Sequence, residues 1–252
     1  MPIRALTFGS VAEAYERYRP GYPAAVAELL LHYAGRPIRT ALEIGAGTGK
    51  ATRLLAACGI AVTACEPDAA MLAELRRHVP PSVRTVQAPF EELRPGQTYD
   101  LVYAAAALHW TDPHDRWPRI AALLEAGGVV ASFGGPAELA DPAVREAVRA
   151  AREPFLATDE FPSPDGTPPE SAMQWPGTEL EKSALFTDVQ QHVIPRRITV
   201  TAIDYVGQLS TVSAYLQLPA EQQQQAYRAI ERALPPTVEI DADIIAHLAR
   251  RN

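Results

Sequence analysis

The residues of this chain whose types and spacing suit chemistry gather around one glycine-rich turn. Gly45, Gly47 and Gly49 fall at alternate positions after the apolar run Thr40–Ile44, with Glu43 just ahead of them and Lys50 just behind. Glycines let a backbone turn sharply and approach a ligand closely. Residues 50–58 read as a helix whose first amides point back at that ligand. Glu66 follows at the end of a second apolar run, Ala61–Cys65. An acid there accepts hydrogen bonds from two ribose hydroxyls. Together these parts describe a strand–helix–strand unit that binds a nucleoside.

The spacing narrows the ligand. A dinucleotide fingerprint reads G-x-G-x-x-G; here the third glycine comes one residue early and Lys50 stands in its place. Glu43 sets a carboxylate at the strand end, where a pyrophosphate would be repelled and a ligand carrying an ammonium and a sulfonium would not. That points to S-adenosylmethionine (SAM) rather than NAD. Glu43-Ile-Gly45-Ala-Gly47-Thr-Gly49 with Glu66 resembles class I SAM-dependent methyltransferases. The segment from Phe8 through Tyr15, Tyr18, Arg19 and Pro20 to Tyr22-Pro23 is similar to the lead-in helix of the trans-aconitate methyltransferase-like small-molecule group. So are Leu108-His109-Trp110 and Thr211-Val-Ser213-Ala-Tyr215, although Val212 stands where that group commonly has Trp. The resemblance runs from residue 8 to about residue 250 and is weakest over 136–187.

The resemblance implies roles for particular residues. Gly45, Gly47 and Gly49 admit the methionine and ribose parts of the cofactor, and Glu66 holds the ribose. Pro67 follows Glu66, and Met71 lies either against the adenine or in the core. Phe90 closes over the adenine through its backbone amide, and the Ala104 carbonyl faces the ammonium. Arg19 forks onto the cofactor carboxylate, or else is a surface arginine. Tyr18 is placed with Arg19 on the cofactor, and Tyr15 and Tyr18 both line the methyl-transfer site. His109 is a base or hydrogen-bond orienter, since imidazole takes a proton near neutral pH, or it only packs and caps its loop. Trp110 walls the cofactor and the acceptor pocket. Tyr15, Phe133, Phe155, Trp175, Tyr205, Thr211 and Tyr215 complete an apolar acceptor pocket with a few polar handles.

These residues need an α/β scaffold to position them. Strands are expected at Thr40–Ile44, Ala61–Cys65, 83–87, Tyr99–Ala105 and 129–133, with helices at 23–34, 50–58, 68–78 and 115–125 between and ahead of them. That alternation predicts a Rossmann-like doubly wound sheet with the ligand at the carboxyl ends of its strands. Further on, 141–157, 203–215 and 220–234 read as helices. Residues 189–200 read as an edge strand interrupted at Pro195, and 238–240 and 244–248 as extended segments pairing antiparallel with it. The expected sheet thus has seven strands, five parallel and then an antiparallel C-terminal edge pair. Prolines at 154, 162, 164, 168, 169 and 176 exclude regular helix there and suggest an inserted helical and loop lid. The organisation expected is a helical cover of the cofactor site at 1–35, a SAM-binding core at 36–135, a lid or substrate insertion at 136–187, and the rest of the same domain at 188–252.

Composition bounds the partners. With 252 residues and a net charge of −7, the chain is long enough for a substantial core and lacks the basic footprint of a nucleic-acid groove. Cys58 and Cys65 are too few for a disulfide framework and read as packed thiols. His32, His78, His109, His114, His192 and His247 show no close metal-ligand spacing. Neither a signal segment nor a bilayer-spanning apolar run is expected. The expectation is a cytoplasmic enzyme that uses SAM on a small molecule, with no metal, nucleic acid or membrane partner. The alternatives are a SAM-binding protein without methyl transfer and an NAD-dependent oxidoreductase.

Overall fold

A computed structural model describes residues 8–94, 96–158 and 162–252. The start of the expected cover, 1–7, and the middle of the expected insertion, 159–161, lie outside the described residues. Two helices lead in, α1 (Ala12–Tyr18) and α2 (Ala24–Ala34). They are followed by β1 (Thr40–Ile44), α3 (Lys50–Ala57), β2 (Ala61–Cys65), α4 (Ala69–His78), β3 (Arg84–Val86), β4 (Tyr99–Ala105), α5 (Arg116–Leu123) and β5 (Leu124–Gly134). Local chemistry sets several of these boundaries. Asp68 caps α4 by accepting the amides of Ala70 and Met71 at 2.8 and 3.0 Å. Val79, extended ahead of Pro80, ends that helix.

The main sheet has the order β3-β2-β1-β4-β5-β10-β7, where β7 is Phe186–Ile194 and β10 is Ile244–Arg251. β1 pairs in parallel with both β2 and β4, and β10 lies antiparallel between β5 and β7. The seven expected strands are therefore present. Alternation along β4 feeds two cores. Leu101 and Tyr103 pack with Val26, Leu30 and Leu55 of α2 and α3. Val102 and Ala104 pack on the opposite face with Trp117 and Ile120 of α5. Strand order reverses between β1 and β4, and a crevice opens at their carboxyl ends.

The second half departs from the expected pattern in one large respect. Pro195 ends β7, and the chain continues as β8 (Arg197–Thr201) in a separate sheet of order β6-β9-β8. In it β6 is Glu138–Leu139 and β9 is Thr237–Asp241. Residues 238–240 thus belong to the second sheet, and only 244–248 joins the first. Helices α6 (Pro142–Arg152), α8 (Ala202–Leu209), α9 (Ser213–Leu216) and α10 (Ala220–Ala233) accompany this sheet. Leu139, Val148, Leu209, Ile230 and Ile240 form a third core there. The expected helix over 203–215 is two helices, broken at residues 210–212. The helix expected over 141–157 stops at Arg152, and that over 115–125 gives way to β5 at Leu124. The helix α7 (Gly177–Lys182) packs on β7 and β10. Cys65 is buried and Cys58 exposed, so only one of the two thiols is packed. Among the described residues no helix is long and apolar enough to cross a membrane.

Candidate functional site

Beyond β1 the backbone enters the left-handed region at Gly45, with φ of 64°. A Cβ on Gly45 would stand 2.6 Å from the Cβ of Ala107, so only glycine lets the ends of β1 and β4 close this tightly. The Gly47 amide donates to Glu66 Oε2 at 2.8 Å, and the Asp68 amide donates to Oε1 at 2.9 Å. Two backbone donors thus fix the carboxylate, and each oxygen keeps a lone pair for a ligand hydroxyl. Burial raises the Glu66 pKa to about 6 despite those bonds. Pro67, Met71 and Phe90 line the same cavity as Glu66. Gly49 serves packing instead: it caps α3, and a Cβ there would stand 2.9 Å from Leu75 of α4.

A second chamber adjoins the first at Tyr15, Arg19, Gly45, Gly47, Ala105 and Ala106. Glu43 faces it. Its Oε2 accepts the hydroxyls of Thr52 and Tyr103 at 2.5 and 2.9 Å, while its buried Oε1 has no hydrogen-bond partner among the described residues. Desolvation raises the Glu43 pKa to about 7 against those two bonds, and the Glu66 charge adds a smaller push upward. Arg19 also faces the chamber. Its Nε donates to Thr211 Oγ1 at 2.7 Å and its Nη2 to the Thr211 carbonyl at 3.2 Å. Among the described residues no carboxylate lies within ion-pair distance of Arg19. The chamber therefore holds an acceptor with negative character and a positively charged fork. Lys50 ties the helix carrying Tyr15 to the glycine turn: its Nζ donates to the Glu16 carbonyl at 2.6 Å and lies 3.3 Å from Glu16 Oε2.

The mouth of the first cavity is ringed by aromatic groups. Phe8 meets Tyr15 and Trp110 edge-on, with centroids 6.1 and 5.9 Å apart, and His109 lies 4.5 Å from Trp110. β4 leads into this rim through Ala106, at φ of 52°, and a single 3-10 turn, Leu108–Trp110. Thr111, next in the chain, is gripped by buried Arg116: Nε donates to its Oγ1 at 2.7 Å and Nη2 to its carbonyl at 3.0 Å. Arg116 is paired with Glu179 of α7 at 3.2 Å. His109 is open to solvent on one side. Protein packed around the rest of the ring, and then the Arg116 charge, lower its pKa, so it is neutral at physiological pH.

Of the residues expected to form the site, Tyr15, Arg19, Glu43, Gly45, Gly47, Glu66, Pro67, Met71, Phe90, His109 and Trp110 line these joined cavities. The others do not. Tyr18 lies about 100° around α1 from Arg19 and packs over Gly207 of α8. Gly49 faces α4. Ala104 is inside the sheet, and Ala105 and Ala106 take its place at the wall. The expected aromatic pocket is dispersed among separate cores. Phe133 stacks on Tyr103 at 6.0 Å; Tyr205 and Tyr215 belong to the third core. Trp175 packs on the α5 side of the sheet under Arg116, and Phe155 lies past the end of α6, lining neither cavity. Thr211 is buried behind Arg19 rather than exposed to the cavity. Phe8, Ala106, Thr111, Val212 and Ser213 line the mouth without having been singled out for it. Phe8, Val212 and Ser213 stood inside the family-like segments, which was the available signal. Nothing local marks Ala106.

Comparison with known proteins finds methyltransferases on both the sequence and the structure side. A methyltransferase-domain profile matches residues 41–128, the unit that carries the glycine turn and Glu66. The solved structure of a candidate type II methyltransferase from Anaeromyxobacter dehalogenans superposes with a TM-score of 0.65 at 26% identity, covering 92% of this chain and 98% of that one. Residues 41–128 thus carry a methyltransferase domain, and over most of its length the chain is similar to a methyltransferase structure. An uncharacterized methyltransferase of Mycobacterium tuberculosis is 40% identical over 124 residues, 49% of this chain and 50% of that protein. A trans-aconitate 2-methyltransferase of Delftia acidovorans is 37% identical over 124 residues, 47% of this chain and 44% of that one. The chain thus spans about half the length of the curated relatives it matches. SAM is the cofactor of this methyltransferase fold, and the residues fit it. The unpartnered Glu43 Oε1 suits an ammonium, Arg19 a carboxylate and Glu66 a ribose.

Proposed function

We propose that the protein transfers the methyl group of SAM to a small-molecule acceptor held at the rim of Phe8, Tyr15, His109, Trp110, Val212 and Ser213. The observation that carries this reading is the junction of two unlike chambers. One is lined by both Glu43, whose buried Oε1 is unpartnered among the described residues, and Arg19, opposed polarities that complement an amino-acid zwitterion. The other joins a ribose acid to a ring-lined opening. Bound SAM supplies an electrophilic methyl group, and the residues here act mainly by positioning. Orienting nucleophile, methyl carbon and sulfur in line removes an entropic cost. Neutral His109 at the rim can accept a proton from a hydroxyl or amine acceptor, whereas a carboxylate acceptor needs no base.

The acceptor atom in this reading is oxygen, nitrogen or carbon. The name of the Delftia acidovorans relative supports a carboxylate-bearing acceptor, as does Arg196 at the edge of the charged chamber. In this reading residues 8–35 cover the cofactor, 36–94 with 96–135 hold it, 136–158 with 162–187 are an insertion, and 188–252 complete the same domain. The absence of a basic stripe at a net charge of −7 supports a small partner rather than nucleic acid, and two free thiols support a cytoplasmic setting. Glu43 argues against the NAD-dependent alternative, because its carboxylate meets the place of a pyrophosphate. The test is an acceptor screen with isotope-labelled SAM, read by mass spectrometry. Methylated small-molecule product is expected. SAM binding without transfer to any acceptor would favour a binding protein instead.

A further inference from the structure

Thr211 was expected among acceptor-contacting residues and is instead fully buried behind Arg19, 192 positions away in the chain. Its hydroxyl accepts from Arg19 Nε at 2.7 Å and donates to the Gln208 carbonyl at 2.7 Å. Its carbonyl accepts from Nη2 at 3.2 Å. A threonine at the break between α8 and α9 therefore holds one edge of a guanidinium, leaving the rest of that group facing the charged chamber. The Tyr15 ring, 5.5 Å from Arg19 Cζ, limits it on another side.

We infer that Thr211 is a positioning residue for the cofactor's amino-acid end: it aims the Arg19 fork, so the C-terminal layer of the fold sets how tightly SAM is held. This rests on the proposed contact between Arg19 and the cofactor carboxylate. An arginine side chain has four rotatable bonds to hold, and two bonds to one threonine fix the plane of its fork before the ligand arrives. The Gln208 carbonyl in turn orients the hydroxyl, so that its lone pair is presented to Nε. Valine at 211 keeps the shape of threonine and removes the hydroxyl alone.

The experiment compares S-adenosylhomocysteine with 5′-methylthioadenosine, which has the same nucleoside but no amino-acid end, by calorimetry on the full chain. Thr211→Val is expected to weaken S-adenosylhomocysteine about tenfold, the cost of one hydrogen bond to a charged group, and to leave 5′-methylthioadenosine unchanged. Thr211→Ser is expected to bind both as wild type. Arg19→Lys keeps the charge but not the two-pronged contact and is expected to reproduce the Thr211→Val loss, which serves if the valine variant does not fold. Equal loss for both ligands in Thr211→Val would mean general damage and overturn the inference. So would an unchanged S-adenosylhomocysteine affinity in Thr211→Val beside a large loss in Arg19→Ala. No loss in Arg19→Ala would instead remove the carboxylate contact on which the inference rests.

Discussion

Arg19 and Arg116 grip a threonine in the same way, Nε to the hydroxyl and Nη2 to the carbonyl, Arg19 from the wall of the joined cavities and Arg116 from behind it. Their surroundings differ. Arg116 is 2% exposed, paired with Glu179, and that carboxylate also accepts the Trp117 indole N–H at 2.8 Å. Its charge is matched within the protein, and it rivets the rim turn to α5 and α7. Arg19 has the same fork but no matching acid among the described residues, and it faces the chamber that Glu43 also faces. A clamp with its charge matched inside the protein is architecture; one left facing a cavity is prepared for a ligand.

That contrast breaks most visibly through Arg116. Arg116→Met leaves half-buried Glu179 with the Trp117 indole alone and takes the charged donor from both Thr111 oxygens, and should cost about 3 kcal/mol of stability, the low end for breaking a buried pair. Urea denaturation measures it, and a loss under 1 kcal/mol would mean that Arg116 is no rivet. Arg19→Ala should do the reverse, leaving stability within about 1 kcal/mol while S-adenosylhomocysteine binding weakens by about 2 kcal/mol.

Glu43 sharpens the ligand side. Its pKa is raised by burial to about 7, above the ordinary carboxylate value of 4.5. A raised folded-state pKa means that its contribution to stability is full below 4.5 and is lost as pH rises through 7. Glu43→Gln should therefore gain on wild type across that window, by up to roughly 3 kcal/mol between pH 4 and pH 8. It should at the same time lose the tightening of S-adenosylhomocysteine, but not of 5′-methylthioadenosine, that ionisation brings. Denaturation and calorimetry at stepped pH read both. The smallest effect is expected at Ala106, whose positive φ on the cavity wall is strain of the kind found at functional sites. Ala106→Gly should be more stable by about 0.5 kcal/mol, the relieved strain less the added freedom of the unfolded chain, and a loss of stability would show that the wall is unstrained.

What was legible in the sequence is what local rules determine. The strand–glycine–helix unit, the Asp68 cap and the place of Glu66 depend on residues within a few turns of one another. The parallel strands declared themselves because both faces of Val102 and Tyr103 are buried. The aromatic pocket was misjudged because Phe133, Trp175, Tyr205 and Tyr215 look alike in sequence, and only packing between distant elements assigns each to a core. The second sheet was missed for the same reason. Residues 189–200 alternate like one strand, and Pro195 turned out to separate two sheets rather than to dent one. The grip of Thr211 on Arg19 spans 192 positions, and no pattern at either end announces it.

The most direct test of the central claim is calorimetry of the unaltered protein with S-adenosylhomocysteine and, separately, with NAD. One S-adenosylhomocysteine should bind per chain, with affinity reduced in Glu66→Ala by about one or two hydrogen bonds, roughly 1 to 3 kcal/mol, and NAD should give no binding. Binding of NAD with none of S-adenosylhomocysteine, or a Glu66→Ala protein that binds S-adenosylhomocysteine as tightly as wild type, would contradict the account.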